Sequence, residues 1–170
     1  MRLALASVAA VAAIAAAAAP AARSIAPSCA GNQLRGTFAV VPGSAGAGNI
    51  VYKLVLKNTS SDPCTMTGLP QGQLLGRLHN PLPTHVRAAN PGALTAVLVT
   101  LMPGESTFAT ARFSPDVNGT GDSMTRRCQP LSYWFRVRAD GGGVTVVPVK
   151  PATSVCERGT LSFTAYGKKS

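Results

Sequence analysis

Residues Asn49 to Lys57 read Asn-Ile-Val-Tyr-Lys-Leu-Val-Leu-Lys, and that alternation admits one local structure. Ile50, Tyr52, Leu54 and Leu56 fall on one side of an extended chain, and Val51, Lys53, Val55 and Lys57 on the other. A period of two is that of a β-strand with one buried face. It also fixes the register, because a slip of one residue would carry Lys53 and Lys57 into the core. The strand runs straight into Asn58-Thr59-Ser60-Ser61-Asp62-Pro63-Cys64-Thr65-Met66-Thr67-Gly68-Leu69-Pro70. This stretch reads as a strand end, a polar turn, a cysteine anchor and a second turn. It is a scaffold corner, and no residue in it is an obvious nucleophile, base or metal ligand.

Short strands separated by turn signals continue on both sides. Gln33–Val41 precedes the Gly/Ser/Ala turn at Pro42–Gly48, and a short strand is expected at Gln73–Leu78 within the Pro/Gly-interrupted segment Gln71–Asn90. Leu94–Leu101 and Ser106–Phe113 are expected to form a hairpin through Met102-Pro103-Gly104-Glu105, where Pro presets φ and Gly tolerates the next position. After a polar loop at Ser114–Gln129 come Tyr133–Arg138, Val144–Val149 and Thr160–Tyr166, the first two joined by Asp140-Gly141-Gly142-Gly143. No long helical pattern interrupts them. The expected fold is all-β, an immunoglobulin-like antiparallel β-sandwich with two disulfides; a small β-barrel is the alternative.

The four cysteines support the same frame. Cys29 and Cys64 flank the first hairpin at similar distances from its turn, and Cys128 and Cys156 flank the hairpin centred near Gly141. An antiparallel pair brings each couple to one open end, so the favoured pairing is Cys29–Cys64 with Cys128–Cys156. A zinc site is the rival, but no C-x-x-C pair exists, and His79 and His85 lie in a Pro-rich loop far in sequence from every cysteine.

Two disulfides imply an oxidising compartment, and the N-terminus agrees. Arg2 precedes the small-apolar run Leu3–Ala19, which Pro20 breaks, and small residues at Ala19 and Ala21 suit cleavage before Ala22. The organisation expected is a signal peptide at 1–21, a short tether at 22–28 and a single domain at 29–170. Leu3–Ala19 is short of the roughly 20 residues a membrane span needs. The Ala26-Pro27-Ser28 run before Cys29 makes a poor lipidation signal.

The order of these motifs is familiar. Cys29, Lys57-Asn58-Thr59-Ser60, Cys64-Thr65-Met66-Thr67-Gly68-Leu69-Pro70, Leu101-Met102-Pro103-Gly104, Cys128 and Cys156-Glu157-Arg158-Gly159-Thr160-Leu161 follow one another over nearly the whole mature chain. The pattern resembles the actinobacterial family of secreted and lipoprotein-borne four-cysteine domains of unknown function. The resemblance implies an extracytoplasmic β-sandwich and no established activity. Leu78–Ala93 departs from it in being rich in Pro and Arg.

Chemistry is sparse. No Ser stands in a Gly-x-Ser-x-Gly elbow, and no calcium or phosphate-binding loop is present. The acids number six and fall in expected turns, which suits turn formation better than glycoside hydrolysis. No catalytic residue, metal or cofactor is therefore expected. The net charge of +10 favours anionic partners, yet no Lys/Arg cluster exceeds the pairs Arg126-Arg127 and Lys168-Lys169, which argues against nucleic acid.

One strand could carry binding. In Tyr133–Arg138, alternation places Tyr133, Phe135 and Val137 on one face and Trp134, Arg136 and Arg138 on the other. A tryptophan beside arginines offers a stacking platform with anion-matching forks. The plainer reading buries Trp134 against a disulfide and leaves the arginines solvated. Lys53 and Lys57 would join the arginines if their strands share a sheet face. The function expected is a secreted, monomeric, non-enzymatic module binding an anionic cell-envelope polymer or an envelope protein, with no membrane span in the mature form. A small extracytoplasmic hydrolase using His79 or His85 is the alternative.

Overall fold

The computed structural model describes residues 25–93, 97–124 and 128–168. The signal segment, Leu94 to Ala96 of the strand expected at Leu94–Leu101 and the Arg126-Arg127 pair lie outside them.

Among the described residues ten strands form: β1 Leu34–Val40, β2 Ile50–Asn58, β3 Cys64–Met66, β4 Gln71–Leu75, β5 His85–Ala88, β6 Val99–Leu101, β7 Ser106–Phe113, β8 Ser132–Arg138, β9 Val144–Thr153 and β10 Thr160–Phe163. Eight of them make one sheet in the order β4-β8-β9-β1-β2-β7-β10-β5, and β3 pairs with β6 in a small second sheet. The sheet is mixed rather than purely antiparallel as expected. β1 runs parallel to β9, and β5 runs parallel to β10. These are the pairings local pattern does not encode, because each joins strands that lie far apart in the sequence.

The alternating strand β2 is the spine. It pairs with β1 from Tyr52 to Asn58 and with β7 from Ile50 to Lys57, and Tyr52, Leu54 and Leu56 are buried while Lys57 is exposed. The sheet curls so that its inner face packs on itself. The Phe38 ring of β1 lies 5.3 Å from Phe135 of β8 and 5.8 Å from Phe163 of β10, and the last two rings are 5.8 Å apart. Rings from strands far apart in the order thus share one core, each also adding burial of about 1.5–3 kcal/mol. Closure is nearly complete. Leu82 donates its N–H to the Leu74 carbonyl and the Thr84 hydroxyl accepts from Leu74 N–H, so the segment leading into β5 covers the β4 edge.

Several local expectations are corrected. The strand expected at Gln73–Leu78 lies at Gln71–Leu75, because the chain turns at Gly76 and leaves Leu78 at a loop tip, 86% exposed. Its successor β5, inside the Pro-rich stretch, is too short to show a period. The C-terminal strand stops at Phe163, and β9 extends past Val149 to Thr153 through a cis Lys150–Pro151 bond.

The expected hairpin at Met102–Glu105 is not one. The turn itself forms, with Gly104 at φ +83°, but β6 pairs with β3 and β7 with β2. Asn58 makes the difference. Its side-chain amide donates to the Leu101 carbonyl at 3.1 Å, and its backbone bonds Gly104 N–H and the Glu105 carbonyl at 2.9 Å. The groups that would start a β6–β7 ladder are already taken.

Both disulfides join the expected partners, Cys29–Cys64 and Cys128–Cys156. With sequence separations of 35 and 28 residues, chain-entropy arguments assign each closed loop about 3–4 kcal/mol. Ala26–Ser28, placed in the expected tether, lie along β3: Thr65 N–H donates to the Pro27 carbonyl, and Ser28 bridges Thr65. Among the described residues no helix is long and apolar enough to cross a membrane.

Candidate functional site: the outer face of the sheet

The inner face of the curled sheet is apolar, so the outward residues of each strand decide what the molecule can touch. On β4, β8 and β9 these form three rows. Gln71, Arg138 and Val144 make the first, Gln73, Arg136 and Val146 the second, and Leu75, Trp134 and Pro148 the third. The two polar rows border a shallow depression of about 300 Å³ lined by Gln71, Gln73, Arg136, Arg138 and Val144. Both arginines are exposed, and neither has an acidic partner among the described residues.

Trp134 closes the third row. It is half-buried, and the His79 ring stacks on it at 4.8 Å with the planes 17° apart. His79 reaches it from the loop after β4, with a left-handed backbone at φ +62° that a β-carbon disfavours. The indole Nε1 is buried without a hydrogen-bond partner. Tyr133, on the other side of β8, lies under the Arg77 guanidinium at 5.4 Å. Trp134 thus belongs to the outer face, and its cover is an imidazole.

Lys53 and Lys57 also face outward, on β2. Lys53 sits over the Phe108 ring with Nζ 4.4 Å from its centre, a cation–π contact. These lysines and the β8 arginines share one face of one sheet, but β9 and β1 lie between them. Three strand spacings amount to about 14 Å along the sheet, and the curl turns the two groups further apart. They do not converge on one pocket.

What strand alternation did not single out is the completeness of the pattern. Arg35 on β1, Lys150 on β9, Arg112 on β7 and Arg87 on β5 are outward and exposed as well. Every acid lies outside the strands: Asp62, Glu105, Asp116, Asp122, Asp140 and Glu157 are all in turns or loops. The sheet's outer face therefore carries charge of one sign. The signal is present in the sequence as acids confined to turns and bases spread over strands, but β5 is only four residues long and carries no period to mark Arg87 as outward.

Asp122 shows how the acids are used instead. Cys156–Gly159 forms a single turn in which Glu157, Arg158 and Gly159 have φ of +51°, +57° and +79°. Consecutive left-handed residues point their N–H groups into a common hollow that suits an anion. The Asp122 carboxylate fills it, accepting from Glu157 N–H at 2.6 Å, Arg158 N–H at 2.9 Å and Gly119 N–H at 2.8 Å. Burial alone would raise the Asp122 pKa, but these N–H groups and the Gln129 amide outweigh it and hold it below the usual carboxylate range. At Gly159 a side chain would collide with the Pro83 carbonyl, so this turn also abuts the segment that closes the sheet.

Asp122 and the sulfurs of Cys128 and Cys156 lie within 4.8 Å of one another. Those sulfurs are joined to each other, and the carboxylate is engaged by N–H donors, so the trio offers a metal no thiolate. His85 is exposed at the start of β5, at the opposite end of the loop from His79.

Residues 29–167 match a family described as a domain of unknown function, DUF4232. The chain belongs to the DUF4232 family. The matched span begins at Cys29 and includes all four cysteines, the Asn58 corner and the Cys156–Gly159 turn, so the DUF4232 unit is the whole curled sheet with both disulfides. Neither the curated proteins nor the solved structures yielded a match.

Proposed function

We propose that this DUF4232 domain is a non-enzymatic, extracytoplasmic immunoglobulin-like module that binds an anionic polymer of the cell envelope. The observation that carries the reading is the single sign of charge on the outer sheet face, with Trp134 set among it beside Arg136 and Arg138. Guanidinium groups match carboxylate and phosphate oxygens in paired hydrogen bonds, and the indole face stacks on a sugar ring once the His79 ring that covers it swings aside. A surface of repeated, spaced cations suits a repeating anion better than a compact ligand. Acids withdrawn into loops, with Glu157 alone reaching a strand arginine among the described residues, leave that field largely uncancelled.

Two further features support the reading. The order β4-β8-β9 on one side of β1 and β2-β7 on the other corresponds to the C-F-G and B-E ladders of immunoglobulin sandwiches, with β1 shared between the halves. The oxidised cysteine pairs and the leader-like residues 1–21 fit an exported chain of an actinobacterial type.

Co-sedimentation of the oxidised protein with purified anionic wall polymer, against a neutral polysaccharide, tests the proposal. Binding to the anionic polymer alone, competed by soluble polyanion, is expected. Equal partition onto both polymers refutes it. A screen with ester, peptide and glycan substrates, repeated with His79→Ala and His85→Ala, addresses catalysis separately: turnover lost in either variant would replace the binding reading with a hydrolase.

A further inference from the structure

At the β5 end of the sheet, a cleft of about 380 Å³ lies between the outward side chains of β7, β10 and β5. Ser162 of β10 is in register with Arg112 of β7 on one side and Arg87 of β5 on the other. Two arginines therefore flank one hydroxyl across three adjacent strands. Arg87 is aimed by its neighbours: its Nε donates to the Ser162 hydroxyl at 2.8 Å, and a terminal nitrogen lies 3.9 Å from the Glu157 carboxylate. Arg112 has no ion pair among the described residues. Asn49 and Asn90 complete the rim with amides that can donate or accept.

We infer that this cleft is a binding site for a single carboxylate group, of the size carried by an amino acid or a uronic acid. Two guanidinium groups less the Glu157 carboxylate leave one uncompensated positive charge, which matches a monoanion and disfavours a dianion. Arg112 supplies the free fork. Glu157 acts as an internal competitor, since its contact with Arg87 is at the limit of an ion pair and both side chains are more than half exposed. Its position is nonetheless fixed, because the left-handed turn that carries it is held by Asp122. The incoming carboxylate takes the place beside Arg87 that Glu157 occupies, and the asparagine amides meet the hydroxyl or amide groups next to it. The cleft lies on the same outer face but shares no residue with the Trp134, Arg136 and Arg138 cluster, so variants at the two places separate this inference from the polymer-binding reading.

The oxidised chain is titrated with sodium glucuronate, and separately with inorganic phosphate, at constant ionic strength, by calorimetry and by the arginine Nε–H signals. Saturable shifts at Arg87 and Arg112 are expected with glucuronate. Arg112→Ala and Arg112→Lys should each weaken binding about tenfold, the second because a lysine keeps the charge and loses the fork. Glu157→Gln should tighten it, whereas Arg136→Ala with Arg138→Ala should leave it unchanged. Tighter binding of phosphate than of glucuronate overturns the monoanion assignment. Wild-type affinity in Arg112→Lys, or uniform unsaturating shifts at every arginine, overturns the site.

Discussion

Asn58 is fully buried and uses its whole hydrogen-bonding capacity. Its amide nitrogen donates to the Asp62 carbonyl at 2.8 Å and the Leu101 carbonyl at 3.1 Å, and its side-chain oxygen accepts from Ser60 N–H at 3.0 Å and the Ser60 hydroxyl at 2.7 Å. It therefore ties the end of β2 to the cysteine loop and to the end of β6. Asn58→Ala removes all four bonds at once. At about 1 kcal/mol net per bond, the loss should be about 3–4 kcal/mol. Asn58→Asp is nearly isosteric and should be worse at neutral pH. It places a carboxylate oxygen against two carbonyl oxygens in a buried site, where a charge without a partner is strongly disfavoured. Burial and repulsion would raise the pKa of the introduced carboxyl, so its penalty should shrink as pH falls and the group takes up a proton. Urea unfolding of the oxidised protein, followed by the fluorescence of its one tryptophan, measures both variants at neutral and mildly acidic pH. A loss below about 1 kcal/mol in Asn58→Ala, the worth of a single bond, would refute this account of the corner. So would an Asn58→Asp variant no less stable than Asn58→Ala at neutral pH.

Three further outcomes follow from particular contacts. The Tyr166 hydroxyl is buried without a partner, and burial, then the nearby Asp140 charge, pushes its pKa well up. Because the fold retains the proton, stability should decline as pH rises past the ordinary tyrosine value of 10.0; Tyr166→Phe should lessen that decline and be neutral to about 1 kcal/mol stabilising at pH 7 by thermal melting. The depressed pKa of Asp122 means its contribution is complete above the ordinary value of 3.8 and is lost as pH falls through the lower folded value. The protection of the Glu157 and Arg158 amides, relative to intrinsic exchange at the same pH, should therefore fall in acid, and already at neutral pH in Asp122→Ala; unchanged protection in that variant would count against the anion hollow. His79→Ala should uncover the Trp134 ring, shifting its emission to the red and raising its collisional quenching, whereas an unchanged spectrum would mean that His79 does not cover it.

Legibility in the sequence divided along physical lines. The period-two run in β2, the Gly-rich turn before β9 and the symmetric placing of cysteines about two hairpins are local signals, and strand β2 and both disulfides stand where those signals placed them. Parallel pairing of β1 with β9 and of β5 with β10 depends on which chain ends meet after the sheet curls, and no window of neighbouring residues contains that information. The false hairpin at Met102–Glu105 has the same origin: Pro103-Gly104 encodes a turn, but Asn58, more than forty residues earlier, decides what the turn connects. At the candidate site, alternation gave the outward direction of Trp134, Arg136 and Arg138. It did not give His79 as the ring covering Trp134, because a loop residue in a left-handed conformation carries no periodic signature. Nor did it give the row Arg112–Ser162–Arg87, which exists only because three strands from distant parts of the chain are adjacent.

The proposed polymer binding is tested most directly by its dependence on salt. Screening shortens the Debye length from about 10 Å at 0.1 M to about 3 Å at 1 M. Affinity for purified anionic wall polymer, measured across that range, should fall steeply for the unmodified protein and more shallowly for Arg136→Ala with Arg138→Ala, while Trp134→Ala should remove the remainder that persists at high salt. Binding that is indifferent to salt, or unaltered by the double arginine substitution, would contradict the assignment of this face.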